Sequence, residues 1–115
     1  MSIAVIQTTT ADAPQAKLGQ DMLLSLASLD LNPQLVLTGS GLTLWLRNSD
    51  ASNARTTLHK RYGMLALFDC PTPWVHVEEL AAHGLQAIDF IGEVEVIAAD
   101  DWQAKLATLS KTLVY

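Results

Sequence analysis

The chain has 115 residues, of which 50% are hydrophobic and 17% charged, and 7 Lys and Arg against 12 Asp and Glu give a net charge of −5. This length predicts one domain, residues 1–115, with a core that needs neither a disulfide nor a structural metal. The negative charge disfavours direct nucleic-acid binding, which uses cations to displace counterions from phosphates. No apolar run approaches the roughly 20 residues that cross a bilayer, so we expect no membrane anchor.

The sparse charge and the single cysteine indicate where the protein works. A charged share of 17% is low for a soluble domain, so we expect a partner to cover part of the surface. The N-terminal Met1–Gln7 has no basic residue ahead of its short apolar run and does not resemble a signal peptide. One cysteine forms no internal disulfide, which agrees with a reducing compartment. We therefore expect a cytoplasmic protein.

The first two predicted elements are a buried strand over 3–7 and a strongly periodic helix. Asp12 is the predicted N-cap of this helix, and Pro14 suits its first turn. The apolar positions recur at spacings of four, four and three, at Leu18, Met22, Leu26 and Leu29. This spacing predicts that these four residues face the core.

The middle of the chain predicts a second buried strand over 35–38, a short apolar helix over 42–46 and a longer helix over 54–68. The segment Gly39-Ser40-Gly41 follows the strand as a tight turn, or alternatively as a weak anion site built from backbone amides. A small basic cluster in the longer helix indicates a solvated face or a contact with an acidic partner. It consists of Arg55, His59, Lys60 and Arg61.

A strand over 74–76 leads directly into a helix over 77–83, and His76 stands at the junction. Glu78 and Glu79 suit the positive end of that helix, and Gly84 suits the left-handed position that closes it. A strand over 94–98, a helix capped by Asp100 and a strand over 112–115 complete the chain. Strands that alternate with helices predict a mostly parallel, five-stranded sheet covered on both faces.

Ligands of such a sheet gather at the carboxyl ends of its strands. Four segments qualify, and they are Thr8–Thr10, Gly39–Gly41, His76 and Ala98–Asp100. His76, Glu79 and His83 also have the spacing of metal ligands on one helical face, but His76 is expected to be strand. We therefore predict no metal site and no cofactor.

Cys70 is the only thiol and precedes the strand over 74–76, which puts it at the amino end of the sheet. Asp69 beside it disfavours a thiolate, and Pro71 offers no amide hydrogen to one. We interpret Cys70 as a passive thiol, with a sulfur carrier as the alternative.

Several local patterns, in their order along the chain, resemble the DsrE/DsrF/DsrH-like family, most closely its TusC, or DsrF-like, subunits. The matching segments are Leu18–Leu24, Gly39–Leu42, Leu65–Asp69, Trp74–His76, Ala82–Leu85 and the aromatic C-terminus. The resemblance implies a flavodoxin-like, three-layer α/β/α domain. It also implies a place in a TusBCD-type heterohexamer with TusB-like and TusD-like partners, which relays persulfide sulfur through a TusE-like carrier towards 2-thiolation of the tRNA wobble uridine.

The resemblance also identifies where this chain departs from the sulfur-carrying subunits. In TusD-like or DsrE-like subunits the relay cysteine ends the third strand, and the matching position here is His76. An imidazole forms no persulfide, so the resemblance implies a non-catalytic subunit. Two alternatives are a DsrF-like subunit in sulfur oxidation and a small-anion or metabolite binder that uses Gly39–Gly41 and His76.

Overall fold

The computed structural model describes residues 3–10, 13–45, 62, 70–86, 89–90 and 92–115. The strands are β1 (Ile3–Gln7), β2 (Gln34–Leu37), β3 (Trp74–His76), β4 (Glu95–Ile97) and β5 (Lys111–Val114). The helices are α1 (Pro14–Ser28), a 3₁₀ helix (Gly39–Trp45), α2 (Val77–Ala82) and α3 (Ala99–Ala107). The helix predicted over 54–68 and its basic cluster lie outside the described residues, apart from Tyr62.

The strands form one five-stranded sheet in the order β4-β3-β2-β1-β5, and every pairing is parallel. This confirms the parallel sheet predicted from the alternation of strands and helices. The chain steps in one direction from β1 to β4 and then returns across the sheet to β5. Because crossovers between parallel strands are right-handed, the return places α3 on the opposite face from α1 and α2.

Side-chain contacts agree with three layers. On one face, Val75 of β3 belongs to the main core together with Leu23 of α1 and Leu80 of α2. On the other face, Trp74 and His76 contact α3, where their rings meet Lys105 and Trp102 respectively. The flavodoxin-like α/β/α fold is thus confirmed. Among the described residues, no helix is both long and apolar enough to span a membrane.

The stripe predicted to bury α1 is wrong at its two ends, whereas its middle residues, Met22 and Leu26, are partly buried against the core. Leu18 and Leu29 are 56% and 67% exposed, whereas the buried residues of the helix are Ala16, Gly19, Gln20, Leu23 and Ala27. The close approach of the C-terminus requires a glycine at one of these positions, since a Cβ atom at Gly19 would lie 2.9 Å from the Cβ of Tyr115. The apolar stripe therefore lies along the flank of the helix, with Met22 and Leu26 against the core and Leu18 exposed.

Both side-chain caps predicted for the longer helices are also wrong. The N-cap residue of α1 is Ala13 instead of Asp12, and that of α3 is Ala98 instead of Asp100, each without a side-chain hydrogen bond. Ala98 is the extended residue directly before α3, so Asp100 is the second residue of that helix and not its N-cap. Pro14 does occupy the first turn of α1, as predicted.

Candidate functional site

The strand order fixes where a crevice opens at the carboxyl edge of the sheet. The helices that follow β3 and β4 leave towards opposite faces, and neighbouring strands of this kind form the switch point at which α/β proteins bind ligands. β3 ends at His76, and Ala98 follows the last residue of β4. His76 therefore lies at the switch point of this fold.

His76 is held in place from two sides. Its backbone is extended, with φ −86° and ψ 132°, and its Nδ1 atom accepts a hydrogen bond from the backbone amide of Glu78 at 3.0 Å. The ring also meets the indole of Trp102 edge-on, with centroids 4.9 Å apart. The imidazole thus ends the strand, as predicted, and caps α2. Because Nδ1 accepts this bond, the hydrogen of the neutral ring is on Nε2.

Carboxylates collect around this junction. Glu78 and Glu79 occupy the first turn of α2, and Asp100 and Asp101 occupy the first turn of α3. Both helices begin where their strands end, so all four side chains start from the carboxyl edge of the sheet. The combined negative charge opposes an anion at this edge and favours a partner that is neutral or basic.

The Gly39–Gly41 segment is built into the sheet edge as the start of the 3₁₀ helix. A Cβ atom at Gly41 would lie 1.9 Å from the carbonyl oxygen of Gln7, so this backbone packs directly on the end of β1. The amide of Gly39 donates to Oε1 of Glu79 at 3.4 Å. A carboxylate already at this amide disfavours the anion site that the glycines alone suggested.

The residues with metal-ligand spacing are not brought together. His76 is the N-cap of α2 and His83 is its C-cap, so the helix separates the two imidazoles by about 10 Å of axial rise. Within the described part of the chain, no three His, Cys, Asp or Glu residues lie close enough to share a metal ion.

Cys70 lies at the other end of the sheet from His76. It is half-buried and packs against the main core, four residues ahead of the first residue of β3. Between them, the carbonyl of Thr72 accepts a hydrogen bond from the side-chain amide of Gln34, the first residue of β2, at 2.8 Å. The segment from Cys70 to Trp74 therefore runs along the amino edge.

Two features of this region were not predicted from the sequence. One is Trp102, whose indole meets the imidazole of His76 in the crevice. Gln7 is fully buried, and its side chain donates to the carbonyl of Ala16 at 3.0 Å and accepts from the hydroxyl of Tyr62. In the sequence, the only indication of this polar contact is that a glutamine ends an otherwise apolar strand.

No protein-family model matches the chain, and no curated protein matches it. Solved structures do match. The YchN protein from Escherichia coli superposes with a TM-score of 0.77 at 14% identity, over 100% of this chain and 99% of that one. A protein of unknown function from Methanobacterium thermoautotrophicum superposes with a TM-score of 0.62 at 12% identity, over 100% of both chains. Both have a DsrE/DsrF-like fold, so the comparison shows that fold for this chain.

Proposed function

We propose that this chain is a non-catalytic, TusC-like or DsrF-like subunit of a cytoplasmic sulfur-relay complex, assembled with TusB-like and TusD-like subunits. The observation that carries the proposal is His76 at the carboxyl end of β3, the position that the resemblance gives to the relay cysteine of the sulfur-carrying subunits. The shared DsrE/DsrF-like fold supports the same reading.

The chemistry of a relay explains why this residue matters. A thiolate attacks the outer sulfur of a donor persulfide, takes that sulfur as its own persulfide and releases the donor thiolate. An imidazole cannot form this product, and the Nδ1 atom of His76 is occupied by the amide of Glu78. We infer that the sulfur is carried by a partner chain and that this subunit positions the partner.

The surface of the chain supports a role in assembly. Large apolar side chains are exposed on α1 and on the edge strand β5, where Leu18, Leu29 and Val114 are 56%, 67% and 64% exposed. Exposed aliphatic side chains of this size are typical of faces that a neighbouring subunit covers. In the proposed complex, sulfur passes to a TusE-like carrier and then to the wobble uridine of tRNA, which this acidic chain does not bind directly.

Co-expression tests the proposal. The chain is produced with the TusB-like and TusD-like chains of the same genome, and the complex is weighed by native mass spectrometry. We expect a heterohexamer that contains this chain, and we expect tRNA 2-thiolation to be restored when a TusE-like carrier is added. A stable monomer that ignores both partners overturns the proposal. Assembly with sulfite-reductase-type partners and no thiolation would support the sulfur-oxidation branch instead.

A further inference from the structure

A cleft of about 440 Å³ opens at the amino edge of the sheet, opposite the edge that holds His76. Its floor is formed by Ile3, Gln34 and Trp74, the first residues of three strands. Its walls are the loop residues 30–32, which follow α1, and residues 108–109, which follow α3. A volume of this size is in the range that holds small organic ligands.

The electrostatics of the cleft favour a positive charge. Asp30 lines it, and no described cation forms an ion pair with this carboxylate. The C-terminal end of α3, at Thr108, adds the negative pole of a helix dipole. None of the described lining residues is basic. Lys105 lies over the Trp74 ring at 5.5 Å but is paired with Glu95 at 3.1 Å and is outside the lining.

The backbone holds Asp30 firmly at the rim. The amides of Asp30 and Leu31 donate to the carbonyls of Ala27 and Leu26 at 3.1 and 3.2 Å, which closes α1 with a Schellman motif. Asp30 has φ +59°, a conformation that glycine adopts at lower cost. The turn therefore places an acidic side chain where a glycine would suit the backbone better.

The rest of the cleft provides apolar surface. Trp74 and Leu109 are half-buried, and Leu31 is 39% exposed. The carboxylate at the rim can bind the cationic group of a ligand. The indole and the aliphatic side chains can contact a compact apolar part of the same ligand. We propose that this cleft binds small organic ammonium ions, such as primary amines with an aromatic or aliphatic body. This inference is independent of the proposed role in sulfur relay.

The test is a titration followed by ¹H–¹⁵N correlation spectra of the isotope-labelled protein. Benzylamine is the probe, and benzyl alcohol and benzoate are its neutral and anionic counterparts. We expect benzylamine to shift the amides of residues 30–32 and 108–109 and the indole resonance of Trp74. Benzyl alcohol should bind more weakly, and benzoate should leave these signals unchanged.

Two variants distinguish the effect of the Asp30 carboxylate on amine binding from the effect of the protein's net charge. Asp30→Asn keeps a residue that tolerates positive φ, so the turn is preserved, and we expect benzylamine to bind about fivefold more weakly. Asp101→Asn, which removes the same charge at the opposite edge, should leave the affinity unchanged. The proposal is overturned if benzoate binds as well as benzylamine, if Asp30→Asn binds with wild-type affinity, or if benzylamine shifts none of the lining residues.

Discussion

The imidazole of His76 meets the indole of Trp102 edge-on, with ring centroids 4.9 Å apart and planes inclined at 69°. The first residue ends β3 and the second lies in the helix that follows β4, so the contact closes the crevice between these neighbouring strands. The same imidazole caps α2 through the amide of Glu78. His76 thus joins two helices on opposite faces of the sheet.

We expect His76→Ala to lower the free energy of unfolding by about 2 kcal/mol, because it removes both the cap and the aromatic contact. His76→Asn retains a side-chain oxygen that caps the helix and loses only the ring contact, so its cost should be about 1 kcal/mol. Urea denaturation of both variants measures the difference. Equal losses in the two variants would show that the cap contributes nothing.

The two glycines that flank Ser40 should respond differently to substitution. Gly41→Ala puts a Cβ atom 1.9 Å from the carbonyl oxygen of Gln7, which is fixed by the amide of Thr38 at 3.1 Å. We expect a loss of about 4 kcal/mol or more. Gly39→Ala meets open space, and its only cost is φ +52°, about 1 kcal/mol. Thermal unfolding compares the pair, and similar melting temperatures would contradict the close approach.

Substitutions in α1 test which residues of this helix are buried against the sheet. Leu23 is fully buried, so Leu23→Ala should cost about 3 kcal/mol. Leu18 is 56% exposed in the isolated chain, so Leu18→Ala should cost less than about 0.5 kcal/mol. Chemical denaturation of the isolated chain measures both. A larger loss at Leu18 than at Leu23 would mean that Leu18 packs in the core after all.

This helix shows how far the sequence alone could go. Periodicity located α1 and detected its one strong apolar stripe, but the sheet-facing side uses Ala16, Gly19 and Ala27, whose small side chains give little hydrophobic signal. At Gly19 the reason is Tyr115, which is remote in sequence and leaves no room for a Cβ atom. Hydrophobic patterns record which residues avoid water, including those that a partner covers, and do not record which neighbour covers them.

The candidate site was predictable to a similar degree. The strand–helix junction at His76 is contiguous in sequence, so β-branched residues, acidic residues and a closing glycine revealed it. The contact with Trp102 depends on the return of the chain across the sheet, and the amino-edge cleft joins residues as distant as Asp30 and Leu109. Sites of this kind depend on the order of the strands in the sheet. The spacing of residues along the chain does not determine that order.

Asp30→Gly should stabilise the protein and weaken its affinity for amines. Glycine adopts φ +59° without the steric cost that Asp30 has, so we expect a gain of about 0.5–1 kcal/mol in the free energy of unfolding. Loss of the carboxylate should weaken benzylamine binding at least as much as Asp30→Asn does. Denaturation and the amine titration together check both effects. A destabilised variant would show that the Asp30 side chain supports the turn itself.

The last prediction concerns which position of the fold can carry sulfur. Cys70 is half-buried against the core, so we expect the wild-type chain to gain no sulfur from a persulfide donor in intact-mass spectra. His76→Cys in a Cys70→Ser background should gain a single sulfur atom, because the Glu78 amide that now bonds the imidazole would face the thiolate. Cys70→Ser alone is the control. A gain by the wild type that this control loses would make Cys70 the carrier and would overturn the non-catalytic assignment.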